Sequence, residues 1–136
     1  MIVSVILFLY PSILFLLFLL FLLPTIISTQ VVANLKKANL VGVASTGMVL
    51  CAVDKETGAT EIVEPPANAE IGERVFVDGY EGIAYSESQE KKKKGWRKLQ
   101  PTLSTNDSKI CVWEDKPLMT KNGPCTVASL TGAMLK

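Results

Sequence analysis

The chain has 136 residues, with 14 basic and 13 acidic side chains, no histidine and three cysteines. All the charged side chains lie after Ala33, so an uncharged leader precedes a stretch with the composition of an ordinary soluble domain. Without histidine there is no Ser-His-Asp triad, no Cys-His nucleophile and no His-containing zinc site, and the length leaves no room for a second catalytic domain. A non-enzymatic protein without a cofactor is the favoured class.

From Ile2 to Leu23 nearly every residue is Ile, Leu, Val or Phe, interrupted by Ser4, Tyr10, Pro11 and Ser12. A helix of that length, rising about 1.5 Å per residue, would cross a hydrocarbon core about 30 Å thick. The expectation is an apolar N-terminal helix, with membrane contact through residues 2–23. Lys36 and Lys37 on its C-terminal side would hold the remainder in the cytoplasm. A cleaved signal with Val31-Val32-Ala33 as its processing site, and a translated stretch of non-coding sequence, are the other two readings. Residues 1–30 are therefore set apart as a leader.

Val31 to Leu35 is a short β-branched run, followed by the polar turn Lys36-Lys37-Ala38-Asn39. Met48 to Val53, Glu61 to Val63 and Glu73 to Val77 are the next strand candidates, separated by Gly58, Pro65-Pro66 and Gly72. A helical turn is expected around Trp96 to Leu103, interrupted by Pro101, with strands at Lys109 to Trp113 and Cys125 to Leu130. Short strands punctuated by glycine and proline predict a mainly β protein, a small barrel or sandwich.

Charge is sorted along the chain. Residues 54–90 hold ten acids against Lys55 and Arg74, whereas residues 91–136 hold ten bases against Asp107, Glu114 and Asp115. The acids follow no fixed spacing and read as a solvated face. The bases begin with Lys91-Lys92-Lys93-Lys94-Gly95-Trp96-Arg97-Lys98, six cations and one indole in eight residues. Such a cluster neutralises phosphates and releases counterions, and an indole stacks on bases. A solvated charge run on a flexible loop is the plain alternative, and anionic lipid or an acidic partner would also attract it. Cys51, Cys111 and Cys125 form no C-x-x-C pair; Cys51 reads as a small core residue, and a Cys111–Cys125 disulfide is conceivable only in an exported protein.

Asn34-Leu35-Lys36, Ala38, Gly42-Val43, Ser45 and Met48-Val49-Leu50-Cys51-Ala52 resemble the N-L-K-x-A…G-V-x-S-x-x-M-V-x-C-A pattern of EMAP-II-like tRNA-binding domains. Glu64-Pro65-Pro66, Gly72-Glu73-Arg74-Val75, Lys93-Lys94-Gly95-Trp96, Gln100-Pro101, Leu103, Thr105-Asn106-Asp107, Gly123 and Cys125 continue the match over residues 31–136. Relatives of this kind occur as C-terminal appendages of methionyl- and tyrosyl-tRNA synthetases and as free-standing synthetase cofactors. The resemblance implies a partial OB-fold barrel over residues 31–83 and a small C-terminal module over 84–136. It implies tRNA and an aminoacyl-tRNA synthetase as partners.

The RNA-binding residues it implies are Asn34, Lys36, Gly42, Ser45 and Met48, joined by Lys91, Lys92, Lys93, Lys94, Trp96 and Lys98. Packing in the core is the alternative for Met48, and a turn role for Ser45. Residues 1–33 stand where the family carries its opening strands, so the barrel is expected to have two unpaired edges. The rival from another class is a membrane-tethered interaction protein.

Overall fold

The computed structural model describes residues 1–9, 25–80 and 82–136. Strand β1 (Ile2–Leu9) runs antiparallel to β2 (Thr25–Val32), which pairs on its other side with β5 (Met48–Val49). Between β2 and β5 a hairpin of β3 (Ala38–Leu40) and β4 (Val43–Ser45) forms a sheet of its own. A second, six-stranded sheet has the order β10-β9-β8-β13-β6-β7. Its members are β6 (Cys51–Val53), β7 (Thr60–Ile62), β8 (Leu103–Thr105), β9 (Cys111–Trp113), β10 (Lys116–Pro117) and β13 (Met134–Leu135). The short ribbon of β11 (Met119–Thr120) and β12 (Gly123–Pro124) completes the strands. Helices α1 (Glu87–Lys93) and α2 (Gly95–Leu99) lead through a 3-10 turn at Gln100–Thr102 into β8.

The N-terminal segment corrects the expectation of an apolar helix. Ile2–Leu9 is a fully paired strand, with Ile2 opposite Val32 and Ser4 opposite Gln30. Isoleucine and valine suit a pleated surface, and Ile2 and Ser4 are both buried while Val3 between them is half-buried, as an alternating strand requires. The rest of the predicted span, residues 10–24, lies outside the described residues. Among the described residues no helix is long and apolar enough to cross a membrane. The transmembrane helix and the membrane contact read from residues 2–23 therefore find no support.

Over Ile2 to Ser4 the other edge of β1 is paired as well. The Ser4 N–H donates to the Glu73 carbonyl at 3.3 Å, Gly72 to Ser4 at 3.0 Å and Val75 to Ile2 at 3.0 Å. The side of β2 away from β1 continues into the second sheet, the Gln30 N–H donating to the Val63 carbonyl and Leu50 to Gln30. Leu50 interrupts the expected strand 48–53, so that its first half joins one sheet and its second half the other.

One apolar cluster joins residues from both ends of the chain, including Ile2, Val32, Leu50, Val63, Leu103, Cys111, Cys125 and Leu135. Burial pushes the Cys111 and Cys125 thiols up to about 12, and all three cysteines are free thiols. Cys51 is half-buried rather than enclosed. Beside the apolar cluster Gln30 Nε2 donates to Ser4 Oγ at 3.1 Å, while Gln30 Oε1 is buried with no partner among the described residues.

Other sequence expectations shift. The strand read at 31–35 begins at Thr25 and stops at Val32. Residues 73–77 form isolated bridges at Arg74 and Phe76, and residues 125–130 contribute a single bridging residue, Thr126. In both stretches the backbone bonds alternate between different neighbours, so no continuous ladder forms.

Candidate functional site

The lysine run is helical. Ser86 caps α1 with a reciprocal pair of hydrogen bonds: its Oγ accepts the Gln89 N–H, and the Gln89 side chain accepts the Ser86 N–H at 3.0 Å. Glu87 and Glu90 occupy the first turn and Lys91, Lys92 and Lys93 the last, the arrangement that suits the helix dipole. Lys94 ends the helix in the left-handed conformation (φ 53°), and its N–H donates to the Glu90 carbonyl. Gly95 then opens α2, which carries Trp96, Arg97 and Lys98. Lys91 to Lys94, Arg97 and Lys98 are exposed, whereas Trp96 is half-buried and packs on the core.

Glu90 fixes that turn. It is buried, and its Oε1 accepts the Trp96 N–H at 2.7 Å. A Cβ on Gly95 would come within 2.6 Å of Glu90 Oε2, so glycine is the residue that fits. Glu73 is buried as well, its Oε2 accepting the Glu70 N–H at 3.1 Å. The reading of residues 54–90 as a wholly solvated acidic face is thus corrected for these two, because each finds backbone donors that the fold brings to it.

The helix docks against the segment after β2. Asn34 Nδ2 donates to the Tyr85 carbonyl at 2.9 Å, and the Lys37 N–H donates to Glu87 Oε1 at 3.3 Å. Lys93 Nζ sits 4.5 Å from the centroid of the Tyr85 ring, within cation–π range. Asn34 and the lysine helix are therefore brought together, with Lys36 and Lys37 exposed beside them.

The remaining predicted residues lie on the hairpin and at its base. Val41 (φ 50°) and Gly42 (φ 83°) form a two-residue turn with both φ values positive, the geometry that hairpin twist favours. Val41 is fully exposed and Val43 largely so. Ser45 Oγ donates to the Gly47 carbonyl at 3.0 Å, a turn bond, and Met48 is half-buried against the core. Lysines 36 and 37, Ser45 and Gly42 thus share one excursion of the chain, while Met48 faces inward at its root.

Sequence reasoning missed Tyr85 and Glu90 as members of this region. A signal for the helix was present: Ser86-x-x-Gln89 is a capping box placed before the charge run. Nothing in the sequence marks the pairing of Tyr85 with Asn34, since the two are 51 residues apart. Among the described residues no cluster of three metal-ligating side chains occurs.

Residues 27–74 match the family described as "Putative tRNA binding domain". The chain is 36% identical over 106 residues to the cytoplasmic methionine–tRNA ligase of Arabidopsis thaliana, covering 78% of this chain and 13% of that one. It is 38% identical over 103 residues to the cytoplasmic tyrosine–tRNA ligase of Gallus gallus, covering 75% and 20%. It is 37% identical over 86 residues to the tRNA-aminoacylation cofactor arc1 of Schizosaccharomyces pombe, covering 63% and 19%. The chain thus spans a fifth or less of the length of these curated relatives. The C-terminal domain of Plasmodium vivax p43 shares the fold, with a TM-score of 0.67 at 23% identity over 82% of this chain and 67% of that one. With the Asn34-to-Ala52 motif inside the matched segment, residues 27–74 carry the sequence pattern of that tRNA-binding domain family, and the chain is similar to a part of methionyl- and tyrosyl-tRNA ligases.

Proposed function

We propose that this chain is a non-catalytic tRNA-binding module, an accessory to aminoacyl-tRNA synthetases in the cytoplasm. Residues 31–83 supply an OB-type barrel and residues 84–136 a C-terminal module that shares its sheet through Met134–Leu135. The observation that carries the proposal is the docking of the capped lysine helix against Asn34, which sets Lys91 to Lys94 beside Lys36 and Lys37. A rigid ridge of ammonium groups recognises a folded polyanion by charge and shape, with little readout of base sequence. Gly42 and Ser45 shape the neighbouring hairpin, and Met48 and Trp96 anchor the surface from beneath while presenting apolar edges to it. The relatives' names support the partner: two are tRNA ligases and one a tRNA-aminoacylation cofactor.

Binding of this kind weakens with salt, the log–log slope being about 0.7 to 0.9 per phosphate contacted. Replacing Lys91 to Lys94 with glutamine lowers the slope by about 3 if all four contact phosphate. The measurement is tRNA affinity by filter binding or fluorescence anisotropy across a salt series. An unchanged slope removes the cluster from the interface, and no binding in dilute buffer by folded protein ends the proposal.

A further inference from the structure

Between the helical segment and the first strands lies a cavity of about 490 Å³, bordered by Val32, Glu90, Trp96, Lys98, Trp113 and Glu114 among others. That size falls within the ~300–1,000 Å³ of small-molecule sites. The chain has two tryptophans, and both border this one space. Trp113 is held edge-on by Tyr80, with ring centroids 4.6 Å apart.

Charge is divided across the cavity. Two carboxylates, Glu90 and Glu114, belong to its wall together with the Met1 ammonium, which donates to Asn34 Oδ1 at 2.6 Å, while the exposed cations Lys91 to Lys94 lie beside it and Lys98 stands at its border. Glu90 Oε1 is committed to the Trp96 N–H; Oε2 accepts no hydrogen bond from the described residues. A purely apolar ligand would leave the second oxygen of the buried Glu90 carboxylate without a donor. An unpaired nucleotide matches every part: its flat base meets indole, an exocyclic amino group donates to carboxylate, and its phosphates reach lysine.

We infer that this cavity receives one unpaired base carrying an exocyclic amino group, so that cytosine and adenine are preferred to uracil. The inference rests on the RNA-binding reading above and adds a base-selective contact to it.

The test titrates the full chain with hexamers of cytidine, adenosine or uridine and reads intrinsic tryptophan fluorescence, which reports this cavity directly. Cytidine and uridine are the decisive pair, having the same ring size and differing by amino against carbonyl. The expected result is quenching by the cytidine and adenosine hexamers with an affinity about tenfold above that of uridine, the effect of one charge-assisted hydrogen bond. Glu90→Gln keeps an acceptor for Trp96 but offers an amide donor to the base, and should abolish the preference. Equal affinity for cytidine and uridine hexamers, or tRNA binding with no change in fluorescence, overturns the cavity's role while leaving the lysine ridge intact. Loss of tRNA binding itself overturns both. Should the variant fail to fold, the comparison of hexamers on the unaltered chain decides alone.

Discussion

Glu61 shows what a single carboxylate does in this molecule. It accepts hydrogen bonds from the Ser129 hydroxyl, from the Ser129 N–H at 2.9 Å and from the Leu130 N–H at 3.1 Å, tying β7 to a loop 68 residues later. These donors, the Ser129 hydroxyl first, hold its carboxyl below the ordinary value of 4.5. The donors disperse when the chain unfolds, so folding favours the ionised form. That contribution is fully present above the unfolded carboxyl's pKa and is lost as pH falls through the depressed folded value. Thermal melts should show the midpoint falling more steeply below pH 4.5 in the native chain than in Glu61→Gln. Parallel curves would assign the acid sensitivity elsewhere. None of this was legible in the sequence, where Glu61, Glu73 and Glu90 look alike: their roles come from donors supplied by distant residues or by a turn whose geometry the fold imposes. The residues of the Asn34-to-Ala52 motif were legible because their types and spacing are read within one short stretch.

At the level of elements, the strands at 60–62 and 111–113 were visible as β-branched or apolar runs between turn residues, whereas α1 was not. Its sequence, Glu-Ser-Gln-Glu-Lys-Lys-Lys, has no apolar stripe, so periodicity is silent and only the cap announces it. The helix should then depend on its ends. Ser86→Ala removes the N-terminal cap at a cost of about 1 kcal/mol. Lys94→Gly relieves a side chain in the left-handed region and should stabilise by about 1 kcal/mol while removing one cation. Denaturant melts of the two variants check both signs. Lys94→Gly also separates charge from folding: a more stable protein with weaker tRNA binding places the ammonium group itself in contact with RNA. The N-terminal strand misled for the opposite reason. Unbroken hydrophobicity satisfies helix and strand alike, and only the partners at 25–32 and 72–75 decide between them.

For the whole molecule, the strand nearest the C-terminus holds the centre of the larger sheet. Met134 pairs with Val53 on one side and Ser104 on the other, and Leu135 is completely buried. The Cys51 and Lys136 backbones exchange hydrogen bonds of 2.8 Å in both directions. Leu135→Ala should cost about 3 kcal/mol, the usual toll of emptying a closed core site. Removing residues 133–136 should abolish cooperative unfolding altogether, as read by circular dichroism and calorimetry. A truncated chain that still melts sharply would show the sheet to close without its middle strand.

That placement also sets an order of events during synthesis. Cys51–Val53 and Leu103–Thr105 leave the ribosome well before Met134–Leu135 can slot between them. Until Leu135 clears the exit tunnel, two bare β edges and an unfilled apolar interior face solvent together, the state most prone to off-pathway association and to chaperone capture. Any delay in translating residues 133–136 should therefore lower the yield of soluble product far more than the same delay placed at the lysine helix.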